Sequence, residues 1–210
     1  MRAATQLLQH VGEDINDRRT EATPDQIECT KLVPAIIRVV ENCVDKGKHE
    51  IARTALETIH DLAEGESPFV LSLWEPLAQM SMNILGRKDC DTGLRSMACE
   101  LLRELVSQQP GEFLRKRLVR SVLENAIRIM GQFELPERPT RDDLLEAIEV
   151  YSSNGKAVDE YSVSSAASIV DTLSIHIPER IIFPLLMSAA SACLKHARWQ
   201  MRATGCILVA

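Results

Sequence analysis

The chain has 210 residues, 45% of them hydrophobic and 26% charged, which is enough apolar material for a sizeable core. Aromatic residues supply only 4%, so that core must be built from Leu, Ile, Val, Ala and Met, a palette suited to helix-on-helix packing. With 30 acidic and 24 basic residues the formal charge is −6, which disfavours direct nucleic-acid binding and points to protein partners, basic ones included.

In chain order, residues 1–18 read as the trailing helix of a preceding repeat, opening on Arg2-Ala-Ala-Thr and then Leu7-Leu-Gln-His-Val. The start lacks the apolar segment of a secretory signal. No run is long enough to cross a bilayer, so a soluble intracellular protein without membrane insertion is expected. The next segments repeat. Residues 28–40 carry Pro34 amid apolar residues, and residues 68–80 carry Pro76 in the same setting, 42 residues on. Each is followed by a second helix with an arginine among small and apolar residues, Arg53 and then Arg95, again 42 apart. Near the end the pattern returns as Ile181-Ile-Phe-Pro184 and Trp199-Gln-Met-Arg202.

Two landmarks recurring at about 40 residues, two helices per unit, are the signature of an all-alpha HEAT/armadillo-type alpha-alpha superhelix. The expected units are residues 28–65, 66–110, 112–177 and a truncated 178–210. The third has a first helix near 112–131 and a partner near 163–175, separated by an insertion at about 132–160. That insertion is moderately acidic, with Asp142 and Asp143 in a short helical stretch, and reads either as a solvated loop or as a partner-contacting one. The chain stops inside an amphipathic helix, and both ends read as cuts through a longer array. Prolines 34, 76 and 184 should bend their helices by removing a backbone donor. Ser67-Pro68 reads as a helix start and Gly65 as the preceding stop.

Nothing here assembles a catalytic site. His49-Glu50 begins a zinc-protease pattern, but Arg53 stands where its second histidine belongs. There is no glycine-rich phosphate loop and no C-x2-C pair among the six cysteines, which read as buried free thiols. A non-enzyme without cofactor or metal is expected.

At this point residues 49–69, the stretch through Leu73-Trp-Glu-Pro-Leu, Leu101-Leu-Arg-Glu-Leu-Val leading to Pro110, and Ile182-Phe-Pro-Leu-Leu with Trp199-Gln-Met-Arg-Ala together resemble a known family. It is the karyopherin-beta or importin-beta superfamily of nuclear transport receptors, in its importin-5/importin-4-like branch. The resemblance covers roughly residues 28–210. It departs at Gly205 and Cys206, where helix-favouring residues are usual, and in a less densely acidic insertion.

The resemblance implies a receptor that carries basic cargo or nuclear localisation signals and releases it to Ran-GTP. It also implies weak contact with phenylalanine-glycine nucleoporins, and shuttling between cytoplasm and nucleus. In that architecture the second helices line the concave face. Glu50, Glu57, Asp61 and Glu64 would then form an acidic strip for basic cargo, with Asp142 and Asp143 as further protein-binding candidates. Opposite that strip, Ile51, Ala55, Ile59 and Leu62 form the apolar side of the same helix.

The recurring arginines read either as structural, pairing with acidic groups or helix-end carbonyls, or as cargo and Ran contacts. The cluster Arg115-Lys-Arg117 with Arg120 reads as a solvated outer face, and Phe69, Leu73, Met80 and Met82 as core or as a slot for nucleoporin phenylalanines. The alternative to a transport receptor is another HEAT scaffold, such as a phosphatase regulatory subunit or a translation-associated scaffold.

Overall fold

A computed structural model describes residues 24–65, 68–132 and 161–209. Every regular element among them is a helix, and the helices pair as hairpins of the HEAT/armadillo type. They fall into two compact units, split between Gln109 and Pro110. The first trailing helix (residues 1–18), Ser67, and the insertion with Asp142 and Asp143 lie outside the described residues.

The first unit begins with α1 (Pro24–Asp45) and α2 (His49–Glu64). In α1, Val33, Ile37, Val40 and Val44 recur every three or four residues and are buried, as a helix with one core face requires. The unit continues through the single turn α3 (Pro68–Leu71), α4 (Trp74–Gly86) and α5 (Thr92–Gln108). Within each hairpin α1 packs on α2 and α4 on α5; between hairpins α1 meets α4 and α2 meets α5. Leu94, Leu101, Leu102 and Leu105 of α5 are fully buried in this shared core. Each such side chain contributes about 1.5–3 kcal/mol by leaving water.

The second unit holds α6 (Pro110–Arg115), α7 (Val119–Met130), α8 (Tyr161–His176), α9 (Glu179–Leu194) and α10 (Trp199–Ile207). Here α7 packs on α8 and α9 on α10, and α7 also touches α9 and α10. Pro34, Pro76 and Pro184 thus all lie in the first helix of a hairpin whose second helix carries Arg53, Arg95 or Arg202.

The prolines do not act alike. A proline within a helix removes the bond to the carbonyl four residues back and crowds it. Pro76 resolves this by a break at Ser72 and Leu73, so that it stands in the first turn of α4, where no donor is required. Pro184 is the sixth residue of α9, and Pro34 lies inside a continuous α1.

The expected single helix over residues 112–131 is also interrupted. Arg117 adopts φ 58°, with Leu118 N–H donating to Phe113 O at 2.9 Å and Arg117 N–H to Leu114 O at 3.0 Å. This is the Schellman end of α6, and Gly47 makes the same one after α1, at φ 65°. Gly65 does follow α2, but at φ −71°, where any residue fits. Gly47→Ala should therefore lower stability by about 1 kcal/mol, while Arg117→Gly should raise it by about 0.5 kcal/mol. Urea midpoints moving in opposite directions are the check.

Gly205, unusual by composition for a helix interior, lies where α10 packs tightly against α9. A Cβ there would lie 3.0 Å from Cys193 Cβ, Leu194 Cγ and the Leu194 nitrogen. Replacing a helical glycine by alanine gains about 1 kcal/mol of propensity, but overpacking costs about 1–3 kcal/mol. The clash includes backbone and cannot be relieved by a rotamer change, so Gly205→Ala should lower the thermal midpoint.

Candidate protein-binding surfaces

The second helix of the first hairpin separates its chemistry by face. Ala52, Ala55, Leu56, Ile59, Leu62 and Ala63 are buried because α2 is packed by α1 on one side and α5 on the other. Ile51, expected in that stripe, lies at its edge in the first turn and is 40% exposed. Glu50, Glu57, Asp61 and Glu64 share the opposite face, where Asp61 and Glu64 are exposed and Glu57 is half-buried.

Their charge is not uniform. Arg53 Nη2 bonds Glu50 Oε1 at 3.0 Å, and its Nε sits 3.8 Å from Glu57 Oε1. The N-terminal half of the strip is thereby partly neutralised. Asp61 faces only His60, whose Nδ1 is 3.9 Å away, so net negative potential concentrates at Asp61 and Glu64. Donor atoms of His60, Asp61 and Glu64 lie within 4.8 Å of one another. These are the residues of α2 that could meet a cation, whether an ion or a lysine of a partner. On α5 the acids are paired: Arg103 reaches Glu100 at 3.0 Å and Glu104 at 3.9 Å.

The recurring arginines divide. Arg95 Nη2 donates to the carbonyls of Arg87 (2.9 Å) and Lys88 (3.1 Å), and Arg202 Nη1 to those of His196 (3.0 Å) and Ala197 (2.7 Å). In both, the arginine satisfies carbonyls left open in the turn just before its own helix. Arg53 instead serves the acidic face. Sequence spacing marks the three as equivalent but cannot show this split, because it depends on the carboxylates at 50 and 57.

A polar link joins the two hairpins at their turns. Arg87 bridges Asp89 (3.0 Å) and Asp45 (2.5 Å), and His49 Nδ1 lies 3.2 Å from Asp91, whose other oxygen caps α5 by accepting from Leu94 N–H at 2.7 Å. The hydrogen bond from Arg87 holds the Asp89 carboxyl below its usual range. A depressed carboxylate contributes above its unfolded pKa and stops contributing as pH falls through the folded one, so the link is intact at neutral pH.

Beside it, Glu41, Val44, Asp45, Met80, Asn83, Ile84 and Arg87 line a cleft of about 200 Å³ between α1 and α4. Of the sequence-marked slot residues only Met80 lines this cleft. Met82 is 7% exposed in the core, Leu73 is half-buried, and the side chain of Phe69 lies outside the described residues. The basic cluster straddles the end of α6 and the start of α7. Arg115 pairs with Glu112 at 2.9 Å and Arg120 with Glu124 at 2.8 Å.

The thiols of Cys99, Cys90 and Cys193 are all pushed up by burial, and the five described cysteines are free. Among the described residues no helix is long and apolar enough to cross a membrane.

The division among the arginines is measurable. Arg95→Ala leaves two turn carbonyls without their donor and should cost about 1–2 kcal/mol. Arg53→Ala removes only exposed pairs and should stay within about 0.5 kcal/mol. Equal losses in chemical denaturation would contradict the assignment.

No protein-family profile matches the chain, and no curated protein matches it. Solved structures do. Kap121p bound to RanGTP superposes with a TM-score of 0.68 at 14% identity, over 92% of this chain and 18% of that one. Kap121p bound to Pho4p gives 0.66 at 16% identity, and the karyopherin Kap121p bound to the SUMO protease Ulp1p gives 0.67 at 15%, each over 86% of this chain and 17% of the other. At this identity the likeness establishes the fold. The chain spans less than a fifth of the proteins it resembles.

Proposed function

We propose that the chain is a protein-binding HEAT segment of a karyopherin-beta-type nuclear transport receptor rather than an enzyme. In this reading it consists of three hairpins and part of a fourth, bounded near residues 65, 110 and 177. The observation that carries the proposal is the one-sided acidity of α2, whose strip runs from Glu50 through Glu57 and Asp61 to Glu64. Its arm free of arginine lies at Asp61 and Glu64. Support comes from the fold of Kap121p, a karyopherin solved with RanGTP and with partner proteins.

In this mechanism the carboxylates attract lysine- and arginine-rich cargo or nuclear localisation signals from solution, and short-range pairing then fixes the register. Asp142 and Asp143 are further candidate carboxylates for basic cargo in this reading. Ran-GTP displaces cargo after passage into the nucleus. The cleft between α1 and α4, lined by Val44, Met80 and Ile84 beside the Arg87–Asp45 pair, is the candidate seat for a single phenylalanine of a phenylalanine-glycine nucleoporin. The protein would shuttle between cytoplasm and nucleus.

The decisive measurement is anisotropy of a labelled basic signal peptide titrated with the chain. Replacing Asp61 and Glu64 by lysine should weaken binding at least about tenfold, because two attractions become repulsions. The effect should shrink as salt rises. Ran-GTP, but not Ran-GDP, should displace the peptide from the receptor that carries this segment. Peptide binding indifferent to both reversals would remove the acidic strip from the mechanism. Binding without nucleotide sensitivity would favour a non-transport HEAT scaffold.

A further inference from the structure

The last hairpin differs in charge from the rest of the chain. Residues 180–210 contain Arg180, Lys195, Arg198 and Arg202 but no aspartate or glutamate, in a chain whose formal charge is −6. Three of these cations gather at the turn between α9 and α10. Lys195 follows α9, Arg198 precedes α10 and Arg202 stands one turn into it, and all three are exposed.

Their charge is not offset as it is elsewhere. Arg53, Arg87, Arg103, Arg115 and Arg120 each meet a carboxylate. Arg202 instead donates to the carbonyls of His196 and Ala197, and Arg198 to that of Gly131. Lys195 has no carboxylate partner among the described residues. A carbonyl anchors an arginine without cancelling its charge, so the turn presents its cations to solvent.

The other hairpins place acids at these positions. Setting Pro184 on Pro34 brings Lys195 onto Asp45, which pairs with Arg87. Setting Arg202 on Arg95 brings Arg198 onto Asp91, which caps α5 by accepting from Leu94 N–H at 2.7 Å. Arg198 makes no side-chain cap for α10. An arginine has no acceptor to offer the open N–H groups there, and its charge opposes the positive end of the helix dipole. Its bond to Gly131 O, at 3.4 Å, is too long to repay that cost. Cations in both places mark a site where local stability yields to another demand.

We infer that the α9–α10 turn is a docking surface for an acidic peptide of a partner protein. A turn stands at the end of its two helices, not on the sides where hairpins stack. Lys195, Arg198 and Arg202 fall within one short segment, matched in length by a run of a few aspartates and glutamates. The guanidinium forks suit carboxylates in particular. A nucleic-acid backbone fits less well, since it would continue past the turn along a chain of net negative charge. The inference does not rest on the transport reading, because it uses other residues and the opposite sign of charge.

The test is anisotropy of a labelled peptide of about eight alternating aspartates and glutamates, titrated with the 210-residue chain at about 50 mM salt. Saturable binding below about 1 mM is expected, weakened about tenfold by Arg198→Asp and lost when Lys195→Glu is added. The Arg198→Asp chain should at the same time melt about 2–4 °C higher, because aspartate caps α10 and suits its dipole. An arginine kept for the fold predicts the reverse. The basic signal peptide that probes the α2 strip should bind both chains within about twofold, which separates this surface from that one.

Absence of acidic-peptide binding, binding indifferent to Arg198→Asp, or a lower melting temperature on that substitution would each overturn the inference. So would tighter binding of a single-stranded oligonucleotide of the same length, which would assign the turn to nucleic acid.

Discussion

The central helices of the first unit have more apolar surface than their hairpin partners can cover, and that excess is what organises the rest. α2 illustrates the constraint: its buried residues span too wide an arc to be closed by α1 alone, and α5 closes the remainder. α5 in turn buries Leu94, Leu101, Leu102 and Leu105 completely between α2 and α4. Stability therefore resides in contacts between hairpins as much as within them, as in any quasi-one-dimensional stack. A single hairpin removed from its neighbours would expose leucines worth about 1.5–3 kcal/mol each, more than its marginal helices could sustain.

Packing by dispersion and burial leaves relative rotation of neighbouring hairpins loosely specified, because the forces involved are non-directional. The polar residues at the turns supply direction. Arg87 ties the turn after α4 to the end of α1, while Asp91 caps α5 and at the same time receives His49 from the start of α2. Arg95 and Arg202 fold back onto the carbonyls before their own helices and hold those turns closed. These bonds are few and mostly exposed, so their energetic share is modest. Their geometric share is larger, since they fix which residues of α2 and α5 stand side by side, and hence where the acidic face lies.

The repeat was legible in the sequence because proline and arginine each do a local job that recurs once per hairpin. Periodicity in a one-dimensional string survives when every unit solves the same packing problem. The breaks were not legible. Whether Pro76 splits its helix or Pro34 is absorbed depends on the neighbouring carbonyl and on what packs there. Likewise Arg117, a residue with no turn preference, takes a left-handed conformation because Leu118 and Phe113 complete the helix end around it. At the acidic strip the spacing put Glu50, Glu57, Asp61 and Glu64 in the polar directions of α2. It could not separate the neutralised pair from the free pair, because Arg53 was equivalent by register to an arginine that serves carbonyls.

That separation between what register dictates and what it leaves free bears on how such a scaffold diversifies. Matching buried positions of α1 and α9 are held to one chemistry: Val40 and Ala190 stay small and apolar because a neighbour fills the space beyond them. The residue just past each helix meets solvent, and there Asp45 after α1, which pairs with Arg87, corresponds to Lys195 after α9. A change of sign at that point costs the core nothing. It alters only which helix end can approach without repulsion, so the identity of a neighbour is encoded at the margin of an otherwise interchangeable interface. The same reasoning applies to the α2 strip, where replacing Arg53 would leave the packing intact and change only how far the negative face extends.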